Sequence, residues 1–172
     1  MVAAIIVIVV VVVLLLIWVL FGLRVVQQYE RGVVFRLGKI SGGIREPGLR
    51  LIVPFIDRMA KVNMQIGTMS VPAQEGITRD NVTVTVDAVV FYRVIDPTKA
   101  VVNVQDYLFA VSQISQTSLR STIGKTSLQD LLQEREQVSA ELQQIIDGPT
   151  EGPWGVKIER VEIKDVALPE SL

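Results

Sequence analysis

The chain of 172 residues contains no cysteine and no histidine. Disulfides, thiol nucleophiles, the usual zinc sites, haem ligation by histidine and Ser-His-Asp triads each need one or both, so all are excluded. No cofactor and no metal is expected. Charged side chains are also missing from the first 23 residues. All 17 Lys and Arg and all 18 Asp and Glu come later, for a net charge of -1 spread without long blocks of one sign. That balance argues against nucleic acid as a partner, because neutralising phosphates takes a basic face.

What fills the uncharged start is Val2 to Leu23, VAAIIVIVVVVVLLLIWVLFGL, in which no side chain carries a charge, amide or hydroxyl. At about 1.5 Å per residue it makes a helix of about 33 Å, enough for a hydrocarbon core of about 30 Å. A transmembrane helix with ends at Val2 and Leu23 is expected. A secretory signal would need a basic n-region, an apolar run of about 7 to 15 residues and a small-residue cleavage site. Nothing basic precedes Arg24, and the run closes on Phe21, Gly22 and Leu23. Arg24, Arg31, Arg36 and Lys39 follow with only Glu30 against them, so the positive-inside rule places the remainder in the cytoplasm and the N-terminus outside. Trp18 fits the aromatic belt at the inner end. The span inflates the 49% hydrophobic content, and the remaining residues, about 150, read as one ordinary α+β domain in two lobes.

The first lobe, 24–95, reads as antiparallel and β-rich. Ser41-Gly42-Gly43 and Glu46-Pro47-Gly48 are turn signals that separate short strands. Leu49 to Ile56 is apolar and interrupted by Pro54. Domain core is the expectation for it; a shallow membrane contact through Leu51, Ile52, Val53, Phe55 and Ile56 is the alternative. Arg58 to Asn63 and Thr68 to Val71 read as further short strands, with Pro72 through Gly76 breaking the pattern. From Val82 to Val94 apolar and polar residues alternate with period two, as in a strand with one buried face.

The second lobe, 96–172, turns helical after Asp96-Pro97. Leu108, Val111, Leu119 and Ile123 recur at helical intervals, with Gly124 a stop. A second helix is expected from Thr126 or Ser127, where Thr126-x-x-Gln129 fits a capping box, to Gly148-Pro149. A loop from Gly148 to Gly155 follows. Val156-Lys157-Ile158 and Val161-Glu162-Ile163 then alternate in opposite phases, so a β-bulge is expected at Glu159-Arg160. No repeat or low-complexity segment interrupts the soluble part.

Few residues suggest catalysis. Gly124-Lys125-Thr126 resembles the end of a P-loop, but Leu119 stands where the motif requires glycine. Ser121 and Lys125, four apart on a helix, could meet as a Ser-Lys dyad, the basis for the alternative of a membrane-tethered hydrolase or protease subunit. Without an oxyanion device or a desolvated lysine, a solvated helix end is the better reading. Asp57, Asp80, Asp87 and Asp96 are scattered over strand ends and turns, where capping roles suffice. The sequon Asn81-Val82-Thr83 falls in a strand expected on the cytoplasmic side.

Tyr29-Glu30-Arg31-Gly32-Val33-Val34-Phe35-Arg36-Leu37-Gly38 resembles the opening of the stomatin (slipin) branch, in its prokaryotic form, of the stomatin/prohibitin/flotillin superfamily, also called SPFH or band 7. The likeness continues in order through Pro54-Phe55-Ile56-Asp57, Arg79-Asp80-Asn81-Val82-Thr83-Val84, Glu134-Arg135-Glu136, Trp154-Gly155-Val156 and Val161-Glu162-Ile163-Lys164-Asp165-Val166 to Leu168-Pro169-Glu170. The resemblance implies an SPFH domain on a membrane anchor, with no enzymatic activity, that forms homo-oligomers, organises membrane microdomains and regulates membrane proteins. Its implied partners are membrane lipids, an NfeD-type membrane protein or a membrane protease. Glu134, Arg135, Glu136 and Glu141, on the mixed-charge helix, are the expected oligomer contacts. Residues 1–46 contain no proline, so a straight span is expected in place of the hairpin of animal proteins, and the lack of cysteine excludes palmitoylation. Where the resembled family continues into a long charged helix this chain stops at Leu172; it is either a fragment or assembles through the domain alone.

Overall fold

In a computed structural model describing residues 1–169, the chain divides into two compact units, Met1 to Asn63 and Met64 onward. The expected lobe boundary near residue 95 is corrected to Asn63/Met64. The reason is pairing: the strand that ends at Val94 is hydrogen-bonded to neighbours on both sides that lie in the second unit. The end of the expected second lobe, with Glu170 of the family likeness, lies outside the described residues.

The first unit opens with α1 (Val2–Gly22), a 21-residue helix whose side chains are all exposed. Leu23, expected as the last residue of the span, instead begins β1 (Leu23–Val26), which pairs antiparallel with β4 (Gly48–Leu51). Gly22 is buried at this junction, and a Cβ there would stand 2.2 Å from the Ile52 carbonyl oxygen. Only glycine admits that approach. Arg24 Nη1 donates to the Phe21 and Leu23 carbonyls at 2.9 and 3.0 Å, closing the helix end with a cation where the macrodipole favours one.

A second small sheet orders as β3 (Lys39–Ile40), β2 (Glu30–Arg36) and β5 (Asp57–Asn63), all antiparallel. Val26, Val33, Val34, Ile52 and Val62 are the buried side chains of this unit. Leu37 and Gly38, with φ of 51° and 86°, form the two-residue connection between β2 and β3. Positive φ at both positions matches the right-handed twist of a hairpin.

The second unit is an antiparallel sheet, β6 (Gly67–Ile77), β7 (Thr83–Val94) and β8 (Val156–Ala167), in that order. Helices cover one face: α3 (Tyr107–Lys125) lies against β6, and α5 (Arg135–Trp154) against β8. Val84, Val86, Ala88, Val90 and Val94 bury one side of β7, as the period-two pattern predicts. Leu119 and Ile123 from α3, Leu142 and Ile146 from α5, and Ile158 and Val161 from β8 complete the core.

Three expectations change here. Strand β6 runs through Pro72 to Ile77 and does not stop at Val71; a bulge between Val71 and Gln74 absorbs the proline, which an edge strand tolerates. The second expected helix divides at Glu134 into α4 (Leu128–Gln133) and α5, and its cap is Ser127, whose hydroxyl accepts from the Asp130 N–H; Thr126 instead donates to the Thr122 carbonyl. Finally, the expected loop 148–155 is helical to Trp154. Pro149 and Pro153 stand exposed, so the carbonyls they leave unbonded can meet water, and Lys99 and Asn103 donate to the Gly152 and Pro153 carbonyls. Those two donors sit on and just after α2 (Pro97–Val102), a short helix the sequence reading missed although Asp96 caps it and Pro97 opens it. Gly155, at φ 65°, ends α5 and turns directly into β8. The bulge expected at Glu159-Arg160 is present, since Phe91 faces Arg160 while Tyr92 faces Ile158.

Candidate membrane-contact site

Beside the end of α1 the chain holds two apolar turn tips out into solvent. Leu37 is 81% and Phe55 99% exposed, each with positive φ, 51° and 69°. A non-glycine residue in that region is uncommon and carries a backbone cost, so surrounding bonds must hold it. They do: the Leu37 N–H donates to the Ile56 carbonyl at 3.3 Å, joining the two tips, and the Asp57 N–H donates to the Val53 carbonyl at 2.8 Å, closing the second turn.

Asp57 is the clamp. Its carboxylate accepts from Arg36 Nε at 2.8 Å, Arg36 Nη2 at 3.2 Å and the Val53 N–H at 3.0 Å. Only 2% of its side chain is exposed. Hydrogen bonding to the Arg36 guanidinium, then to the Val53 N–H, holds the Asp57 carboxyl below its ordinary value of 3.8. A depressed carboxyl stabilises the fold while ionised, so the clamp is complete above the ordinary value and is lost as pH falls through the lower native one. Acidifying from pH 7 to below 3 is expected to speed proteolysis of the 53–57 turn in the native chain. Asp57→Asn is expected to be cut faster already at pH 7, and to lose most of that dependence.

The site is fastened to the helix as well. The Ile52 N–H donates to the Gly22 carbonyl at 2.8 Å. Phe55 follows Ile52 by three positions, so at about 3.3 to 3.6 Å per residue it lies within roughly 11 Å of the helix end along the chain. Leu49, Leu51 and Ile56 are exposed in the same segment, whereas Ile52 is buried and Val53 half-buried. Core, the expectation for 49–56, therefore holds for Ile52 and is corrected for Phe55. Exposed apolar side chains grouped in this way mark a contact surface. Sequence reading missed Leu37, whose only advance signal is a Leu-Gly pair between two short strands.

The basic residues after the span have separate duties. Arg24 caps α1, Arg31 faces Glu46 at 3.5 Å, and Arg36 holds Asp57. Lys39 is exposed in β3. In the second unit, Glu134, Arg135 and Glu136 line a cleft between α5 and β8, while Glu141 lines a smaller cavity with Arg79 and Lys125. Ser121 is exposed on α3 and lines neither, so Lys125 and Ser121 share no enclosed site. No cluster of three metal-ligating side chains occurs among the described residues.

An apolar helix exposed on every side, running straight into a β-rich unit with outward apolar tips and followed by a helix-covered antiparallel sheet, defines a membrane-associated α+β protein. The chain belongs to the SPFH domain / Band 7 family, which matches residues 24–172. It is 52% identical over 156 residues to a protein of Archaeoglobus fulgidus, covering 91% of this chain and 62% of the other. A stomatin homologue of Pyrococcus horikoshii is 49% identical over 156 residues, covering 91% and 58%. Stomatin-4 of Caenorhabditis elegans is 44% identical over 153 residues, covering 88% and 54%. The chain thus spans about three fifths of the length of these archaeal relatives, and it is of the stomatin type.

Proposed function

We propose that the protein is a membrane-anchored, non-enzymatic scaffold that self-associates on the cytoplasmic face of the cell membrane, organises lipid microdomains there and regulates membrane proteins. An NfeD-type membrane protein or a membrane protease is the partner class this reading favours. The observation that carries it is the exposure of every side chain of α1 together with the Leu37 and Phe55 tips, which are 81% and 99% exposed, in a segment hydrogen-bonded to the helix end through Ile52 and Gly22. Arg24, Arg31, Arg36 and Lys39 directly after the span support the cytoplasmic placement. A single span confines every copy to two dimensions, and the raised effective concentration lets weak lateral contacts build an assembly.

Because the chain has no cysteine, a single Phe55→Cys carries an environment-sensitive fluorophore cleanly. In bilayers the probe at position 55 is expected to shift to the blue and to be quenched by nitroxide on the lipid chains near the headgroups, while one at Gly124, exposed in α3, is not. Equal, water-like emission at both positions sinks the membrane-contact reading. Mass measured in mild detergent tests self-association: a monomer at high concentration counts against the scaffold.

A further inference from the structure

The two edges of the β6-β7-β8 sheet differ in kind. At one edge, β6 carries Pro72 within a bulge, and a kinked strand lacking an N–H is a poor template for another strand. At the other edge, β8 pairs with β7 alone among the described residues. Helix α5 satisfies its outer groups at two places. Asp147 Oδ1 accepts from the Ile158 N–H at 2.9 Å and Gln143 Nε2 donates to the Ile158 carbonyl at 2.6 Å; Arg135 Nη1 donates to the Lys164 carbonyl at 3.1 Å. Between these caps, residues 159–163 line an open cleft of about 920 Å³ whose other wall includes Glu134 and Glu136.

The uncapped window has a centre. Ile158 and Lys164 are each three residues from Val161, and the charges around Val161 are self-complementary. An antiparallel copy aligned on Val161 sets Arg160 against Glu162 twice by symmetry, exchanging the ion pair that these two residues make within one chain for two between chains. Opposite charges directly across a strand pair stabilise it, and like charges oppose it. A two-fold interface must be complementary to itself, which is what such an order of charges supplies.

We propose that β8 is a self-pairing edge, through which two copies of this chain join antiparallel about Val161 inside the α5–β8 cleft. The inference rests on the self-association proposed above and names the surface that performs it. Register shifts at Glu159 and again between Ile163 and Val166 bound the pairing to a few residues. A contact so short is weak in free solution and gains from confinement to the membrane.

Val161→Cys gives the full chain one thiol on the axis, at a side chain only 3% exposed in the single chain, so that it meets a second thiol only where two β8 strands pair. Opposed Cα atoms of an antiparallel pair lie about 4.5 to 5.5 Å apart, within the disulfide range of about 4.4 to 6.8 Å. Mild oxidation in bilayers is expected to join most V161C copies covalently and to leave Ser121→Cys copies single. In the V161C background, Arg160→Glu alone and Glu162→Arg alone each set like charges across the axis and are expected to cut the yield roughly tenfold. Mixing the two variants restores opposite charges in the mixed pair and is expected to restore the yield. Native mass measured on R160E, E162R and their mixture without the cysteine repeats the test should V161C fold poorly. If copies keep an oligomeric mass but neither cross-link at 161 nor respond to mixing, the β8 pairing is overturned and self-association stands. A monomer under all conditions overturns both.

Discussion

Two arginines in the middle of α1, Val10→Arg with Val12→Arg, are expected to release the protein from the membrane. The helix carries eight valines, four isoleucines, four leucines and one phenylalanine. At about -0.3 to -0.6 kcal/mol each near the bilayer centre, they favour insertion by roughly 5 to 10 kcal/mol at most. Each central arginine costs about 2.5 to 3.5 kcal/mol and removes a valine, so the pair consumes most of that driving force. Native chain should stay with carbonate-washed vesicles while the double variant appears in the supernatant. Circular dichroism should show the same folded domain in both. Retention of the double variant would mean that residues other than α1 hold the protein in the bilayer.

The apolar tips do not substitute for the helix in that experiment. Phe55, Leu37 and Ile56 present a few side chains, each worth about 1.5 to 3 kcal/mol when fully buried, and a headgroup-level contact buries them only in part. In the proposed membrane contact their role is orientation. With Ile52 hydrogen-bonded to Gly22 and β1 entering directly from the helix, the span and the first unit share one short junction. A second attachment on that unit then limits how far it can swing away from the bilayer surface.

Much of this was legible in the sequence because burial imposes a period. The uncharged run of α1, the alternation of β7 and the phase change at Glu159 each follow from which side chains meet apolar surroundings. Proline misled twice for the opposite reason. Pro72 and Pro149 cost a strand or helix only the bond that the missing N–H would make, and whether that bond matters depends on tertiary position. Pro72 falls on a sheet edge and Pro149 on an exposed helix face. The union of Leu37 with Ile56 was equally hidden. It joins residues 19 positions apart through one main-chain bond, and no local pattern encodes it. Nor does composition reveal that Asp57 closes the turn holding Phe55, since an Asp after an apolar run reads as any surface cap.

Within the second unit, Ile146→Ala is expected to lower unfolding stability by about 2 to 5 kcal/mol, and Ile145→Ala by less than about 1 kcal/mol. The two residues are neighbours on α5 with the same side chain and the same helix propensity. Ile146 is fully enclosed, whereas Ile145 is 47% exposed. Any effect of the substitution on the helix itself is therefore common to both, and the difference isolates burial between α5 and the sheet. Urea denaturation of the two variants in detergent, read by the fluorescence of Trp154 at the end of α5, measures it. Equal losses would mean that the helix is not phased with Leu142 and Ile146 toward the core. Because Gln143 and Asp147 lie beside those two residues, the same phase is what aims their side chains at the Ile158 edge of β8. The core of the unit and the capping of its outer strand thus depend on one rotation of one helix.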